Sequence, residues 1–119
     1  MQHNYLRLTR YDMEAVNRAL DYIQLEFPDN ISLGILSMEV NLPKDKLQAG
    51  LKQITAMTLH RYLLHLRINK AKELLSTTDD PLKSIAELTG FKDDSYFCKV
   101  FRRHTRLSPA AYRLQHKEQ

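Results

Sequence analysis

The chain has 119 residues, 43% of them hydrophobic, and a formal net charge of +4. That length suits one domain or two small lobes, and the apolar content is too high for a disordered chain. Three Gly and four Pro are too few turn residues for a sandwich or barrel, and a single Cys excludes a disulfide framework and every cysteine-based zinc site.

Residues 1–10 mix polar and apolar types and read as a tail. From Tyr11 to Phe27, Val16, Leu20, Ile23 and Phe27 recur at the period of a helix face, with Asp12 as cap and Pro28-Asp29-Asn30 as stop. A short helix follows from Ser32, its N-cap, to Val40, with Leu33, Leu36 and Val40 inward. Asn41 suits the left-handed close of that helix, and Pro43 can only stand at a start. The third helix spans about Lys44 to Ile54 with Leu47, Leu51 and Ile54 inward. The longest helix runs from about Leu59 to Ser76. Its apolar faces are Tyr62, Leu63, Leu66, Ala71, Leu74 and Leu75, and Arg67, Lys70 and Lys72 carry its charge. Asp80 as cap and Pro81 at the first position open a short helix to Thr89, burying Leu82, Ile85 and Leu88, which Gly90 closes. A sixth helix covers about Asp94 to His104 with Phe97, Val100 and Phe101 inward. Ser108-Pro109 opens the last, through Tyr112. The fold class expected is all-α, seven helices and no strand.

The sequence resembles itself at an offset of about 50 residues. Leu36, Val40 and Leu42 match Ile85, Thr89 and Phe91. Leu47 and Leu51 match Phe97 and Phe101, Thr55-x-Met57-Thr58 matches Thr105-x-Leu107-Ser108, and Tyr62 matches Tyr112. Short helix, tight turn, second helix: each copy reads as a helix-turn-helix, whose second helix keeps an outer stripe free to enter a DNA major groove. In the first copy that stripe is Asp45, Gln48, Ala49 and Lys52. In the second it is Asp94, Ser95, Cys98, Lys99 and Arg102, flanked by Arg103, His104 and Arg106. Gln pairs bidentately with adenine, and Lys and Arg favour guanine O6 and N7. Arg103, His104 and Arg106 suit phosphates. An Asp near phosphates more often caps a helix or orients a neighbour than reads cytosine.

Charge follows the same division. Residues 1–60 hold 6 Lys/Arg and 7 Asp/Glu, and residues 61–119 hold 12 and 7, so the halves carry −1 and +5. Ser95 to Arg106 contains four basic residues and no acid. Such a local excess holds phosphates, or is simply a solvated helix face.

Residues 32–113 resemble the C-terminal DNA-binding domain of AraC/XylS-type bacterial transcription regulators. The marks are Tyr62-Leu63-x-x-Leu66-Arg67-x-x-x-Ala71-x-x-Leu74-Leu75, Ile85-Ala86-x-x-x-Gly90-Phe91, Ser95-Tyr96-Phe97-x-x-Val100-Phe101-Arg102-Arg103 and Ser108-Pro109-x-x-Tyr112-Arg113. The resemblance implies one DNA-binding domain over 1–119. Residues 11–58 form its first helix-turn-helix subdomain, 59–76 the linker helix and 77–114 the second subdomain, with tails at 1–10 and 115–119. It implies two recognition helices in successive major grooves of double-stranded DNA, with RNA polymerase a candidate partner and a monomeric isolated domain. A linker of about 18 residues is roughly 27 Å long at 1.5 Å per residue. Successive grooves lie about 34 Å apart, so a tilt, a DNA bend or engagement of one unit at a time is required.

The first copy departs from the family pattern. Pro43 replaces a capping Ser, Leu51 a usual Phe, and Ala56 a common Gly, while Gly50 inside a helix costs roughly 1 kcal/mol. The second recognition helix is therefore expected to supply most of the affinity. Regulators of this kind also carry a sensing domain, for which the residues before the first unit leave no room.

Enzyme and metal readings find no support. His60 and His65 lie about 140° apart around a helix, and His3 and His116 fall in the expected tails. Asp79-Asp80 and Asp93-Asp94 precede helix starts, where capping explains them. Cys98 beside Lys99 would be a redox switch if its thiol pKa were lowered, and is otherwise a packing or contact residue. No cofactor is expected. No apolar run approaches the roughly 20 residues of a membrane span, and no signal peptide opens the chain, so a cytoplasmic, nucleoid-associated location is expected. The rival readings are a helical protein-interaction module that binds no DNA, and an RNA binder. The latter would need exposed aromatic residues for stacking. About six phosphate contacts on duplex DNA would give a log–log salt slope near −5, which salt-insensitive protein association would not.

Overall fold

The computed structural model describes residues 7–117. They form seven helices and, among those residues, no strand: α1 (Arg10–Glu26), α2 (Leu33–Val40), α3 (Lys44–Thr55), α4 (Leu59–Thr77), α5 (Leu82–Leu88), α6 (Asp94–Thr105) and α7 (Pro109–His116). The chain divides into two compact units, with the boundary inside α4 after Leu64.

In the first unit, α1 starts one residue earlier than its apolar period suggests. Thr9 is the N-cap and Asp12 its third-position partner: Asp12 N donates to Thr9 Oγ1 (3.0 Å), and Thr9 N donates to Asp12 Oδ2 (2.9 Å). Asp12 therefore completes a capping box and is not itself the cap. The buried face of α1 is Asp12, Ala15, Val16, Ala19 and Ile23, while Leu20 and Phe27 are only half-buried. Ser32 caps α2 by accepting from Ile35 N, and Leu36 and Val40 are buried. Leu47, Gly50 and Leu51 form the inner face of α3, but Ile54 is 44% exposed and leaves the expected stripe. Gly50 is a packing site. A Cβ there would overlap Val16 Cγ2 and lie 3.3 Å from Val16 Cβ and Cγ1. The absent side chain is what lets α1 and α3 approach so closely.

In the second unit, α4 buries Ile68, Ala71 and Leu75, of which the periodicity singled out all but Ile68. Pro81 proves to be the N-cap of α5, with backbone ψ 150° and no side-chain hydrogen bond. Asp80 does not cap, because Pro81 stands where a polar cap would. Ile85 and Ala86 are buried, Leu82 is half-buried, and Leu88 is 56% exposed, outside the face expected for it. Asp93 caps α6 by accepting from Tyr96 N (2.7 Å), and Phe97, Val100 and Phe101 are its core. Ser108 caps α7 with Pro109 at its first position. That helix continues to His116, whose ring stacks on Tyr112 with centroids 4.1 Å apart, so His116 is part of the fold and not of a tail. His3 lies outside the described residues.

The duplication is written in hydrogen bonds. Leu42 N donates to Ser37 O (3.2 Å) as Phe91 N does to Ala86 O (2.9 Å), closing the two tight turns. Asn41 (φ 55°) and Gly90 (φ 94°) take the left-handed conformation at corresponding places. Thr55 Oγ1 donates to Leu51 O and accepts from Met57 N; Thr105 Oγ1 donates to Phe101 O and accepts from Leu107 N. The copies also extend one helix further than the sequence comparison reached. Buried Val16, Ala19 and Ile23 in α1 stand at the spacing of buried Ile68, Ala71 and Leu75 in α4. Each helix-turn-helix is thus preceded by a helix with the same spacing of buried residues.

Two positions in the first unit, Ala56 and Asp12, have measurable consequences for stability. Ala56 sits at φ 61° just after α3, a conformation costing an L-residue roughly 1–2 kcal/mol. Ala56→Gly is expected to stabilise by about 0.5–1 kcal/mol after the added unfolded-state entropy of Gly, raising the melting temperature by about 2–5 °C. An unchanged or lower melting temperature refutes the strain. The second concerns acid. The Thr9 backbone N–H, then the Lys46 ammonium, hold the Asp12 carboxyl below its ordinary value of 3.8 against the opposing effect of burial. A lowered pKa adds stability above the ordinary value and loses it as pH falls below. Asp12→Asn should therefore flatten the acid limb of a melting-temperature profile as pH falls through 3.8 and below, and an unchanged limb refutes it.

Candidate nucleic-acid interface

A helix that packs one stripe on a core must present its opposite stripe to water. On α3 the stripe opposite Leu47 and Leu51 holds Asp45, Gln48 and Lys52, all exposed, with Ala49 half-buried beside them. On α6 the stripe opposite Phe97 and Phe101 holds Asp94, Ser95, Lys99 and Arg102, all exposed, with Arg103 alongside and Cys98 half-buried. Every residue singled out from the sequence therefore lies on the free side of its helix or at its margin.

The two faces differ in chemistry. On α6, Cys98, Lys99, Arg102 and Arg103, together with Ser108 at the start of α7, line one open recess of about 500 Å³. Among the described residues, Lys99, Arg102 and Arg103 form no ion pair, so their charge is not neutralised within the protein. Arg102, Arg103 and His104 occupy the last turn of α6, where the helix dipole favours cations. On α3 only Lys52 is basic along the outer stripe. Asp45 Oδ1 accepts from Lys46 N (2.8 Å), a local hydrogen bond in the first turn. Pro43 offers α3 no side-chain cap, in contrast to Asp93 at α6.

Burial pushes the Cys98 thiol up, Asp94 adds to the rise and Arg102 opposes it. The lowered pKa that a redox switch would need is absent, and the half-buried thiol is a small apolar contact on the recess wall. Asp79 is not a cap either: it pairs with Lys117, and that hydrogen bond lowers its carboxyl pKa.

Three charged residues outside the predicted set bear on the site. Asp12 is 5% exposed, and its Oδ2 lies 3.3 Å from Lys46 Nζ, joining α1 to the first turn of α3. Burial lowers the Arg67 guanidinium pKa, and Arg67 lies within electrostatic reach of Tyr96 at the start of α6. Nothing in one-dimensional spacing marks Asp12 and Lys46, which are 34 residues apart. Among the described residues, no three His, Cys, Asp or Glu side chains gather as a metal site. No helix there is long and apolar enough to cross a membrane.

Residues 36–115 match the model of a family described as a helix-turn-helix domain. An HTH-type transcriptional activator, RhaS from Pectobacterium carotovorum, is 33% identical over 104 residues, covering 87% of this chain and 37% of its own length. The chain thus spans little more than a third of the length of that curated relative. The C-terminal domain of AraT, a response regulator from Geobacillus stearothermophilus, superposes with a TM-score of 0.83 at 30% identity, over 96% of this chain and 92% of that one. The DNA-binding domain of AdpA, solved with a target DNA, shares the fold at a TM-score of 0.79 and 21% identity, over 85% and 91% of the two chains.

Proposed function

Because the chain belongs to the helix-turn-helix family of AraC-type transcription regulators, which are not enzymes, we propose that it reads double-stranded DNA for such a regulator. Residues 1–119 act as one DNA-binding domain, with 11–58 and 77–114 as its two readers and 59–76 between them. The readers seat α3 and α6 in successive major grooves. The observation that carries this reading is the unneutralised cationic face of α6, repeated in position, though not in charge, by the exposed face of α3.

Roles follow from side-chain chemistry. Lys99 and Arg102 suit guanine O6 and N7, and Gln48 suits the N6/N7 edge of adenine. Lys52 suits guanine, Ala49 and Cys98 offer small apolar surfaces to a thymine methyl, and the Ser95 hydroxyl, which donates and accepts, suits either kind of base edge. Arg103, with His104 and Arg106, suits phosphates. Asp45 and Asp94, each in a first turn, orient neighbouring donors. The domain acts as a monomer at the nucleoid in the cytoplasm, with RNA polymerase as the regulator's protein partner.

Selection from a random duplex library tests this. The expected result is an enriched bipartite motif whose halves are centred about one helical turn, roughly 10–10.5 base pairs, apart. A single short motif would confine reading to the second unit, and no enrichment would refute the function.

A further inference from the structure

The two recognition helices are held by different means. Around α6, aromatic rings lock the packing: Phe91 meets Tyr96 and Phe97, Phe97 meets Phe101, and Phe101 meets Tyr112 edge-on, with centroids 5.1–6.0 Å apart. The matching places in the first copy hold Leu42, Leu47 and Leu51, which are smaller and carry no ring to interlock. In that copy Val16 packs directly against Gly50, an apolar contact. Such a contact limits how near α1 and α3 come.

A directional contact between α1 and α3 is ionic. Lys46 and Gly50 are four residues apart and so occupy one flank of α3, about 40° apart around its axis. Asp12 meets that flank with an oxygen already fixed by Thr9 N, and it is almost wholly buried. A carboxylate held by its own capping box is preorganised. Lys46 Nζ comes to it, so the pair favours rotations of α3 that keep Lys46 within reach of α1. The outer stripe of Gln48 and Lys52 is rigidly linked to that rotation. Arg18 Nη2, donating to Val40 O (3.4 Å), ties α1 to the end of α2 and so steadies the other side of the joint. Asp12 also lies before residue 36, where the match to the family model begins.

We propose that the Asp12–Lys46 pair sets the rotation of α3 about its own axis, making both residues positioning residues for the first DNA-reading face. The proposal rests on the DNA reading above. Neither side chain touches a base: Lys46 lies on the α1 flank, outside the stripe of Asp45, Gln48 and Lys52.

The test uses the 119-residue chain and two duplexes, the selected bipartite site and the same site with the half read by α3 randomised. Asp12→Asn and Lys46→Met are expected to weaken binding to the full site by about three- to tenfold and to the randomised site by less than about twofold, because only base contacts need the rotation. Lys46→Arg keeps the pair and should bind as wild type. Amide hydrogen exchange without DNA should quicken in α3 alone for the two disruptive variants. A gain in affinity for both duplexes in Asp12→Asn would overturn the proposal, since it would mean a released Lys46 grips phosphate directly. Equal losses on both duplexes, or unchanged α3 exchange, would overturn it too. Wild-type protein that does not distinguish the duplexes refutes two-unit reading of DNA, and α3 exchange then still decides whether the pair positions the helix.

Discussion

Alanine at Lys99, Arg102 and Arg103 together is expected to weaken specific DNA binding by about 100-fold or more, while alanine at Gln48 and Lys52 together costs about tenfold or less. The three cations lie on one exposed face and are neutralised by no acid among the described residues, so a DNA phosphate or guanine edge is their available counter-charge. Each bidentate contact to a base is worth about 1–3 kcal/mol of discrimination. Each cation neutralising a phosphate steepens the log–log salt slope by about 0.9, so its removal flattens it. Titrations at several salt concentrations should therefore show the triple variant losing both affinity and about one to three units of slope. Because these side chains contribute nothing to the core, its melting temperature should stay within a few degrees of wild type. Equal losses for the two variants at fixed salt would refute the dominance of the second unit.

Gly50 is where the smallest substitution should do the most damage to the fold. Gly50→Ala sets two opposing effects against each other. Alanine gains about 1 kcal/mol of helix propensity over glycine. Its methyl group overlaps Val16 Cγ2, and overpacking of a buried joint costs about 1–3 kcal/mol. Neither partner can yield cheaply, since Val16 is β-branched and fully buried on α1. The net expectation is a loss of about 1–2 kcal/mol. Gly50→Leu should go further and unfold the first unit. The diagnostic is a double-mutant cycle: in a Val16→Ala background the clash disappears, and Gly50→Ala should become neutral or stabilising. Denaturant unfolding of the four variants measures this. A Gly50→Ala protein as stable as wild type while Val16 is present would show that the helices part without cost.

Most of the helix boundaries were legible because they are local. Ser32, Ser108-Pro109, Asn41 and Gly90 act on backbone groups within a few residues, so their chemistry is visible in the order of the chain. The duplication was legible for the same reason, since corresponding apolar positions recur with one register shift. The outer stripes of α3 and α6 followed from the inner ones by helical geometry alone. Errors came where a neighbour outside the helix decides. Ile54 and Leu88 fit the period of their faces yet stand exposed, because periodicity gives an angle around an axis and not what packs at that height. Gly50 read as a weakness in a helix and is instead the notch that admits Val16. Cys98 beside Lys99 left a redox switch and a packing contact both open, and burial together with Asp94, by raising its thiol pKa, favours the contact.

The sequence by itself determined the fold class, the two helix-turn-helix copies and the cationic bias of the second, since each rests on interactions spanning about one helical turn. The tertiary structure alone decided that α1 and α4 bury residues at the same spacing, and that Asp12 meets Lys46 across 34 residues of chain. The physical reason is that close packing and burial depend on distances between helices. Those distances are set by the shapes of side chains far apart in sequence, and no local period encodes them.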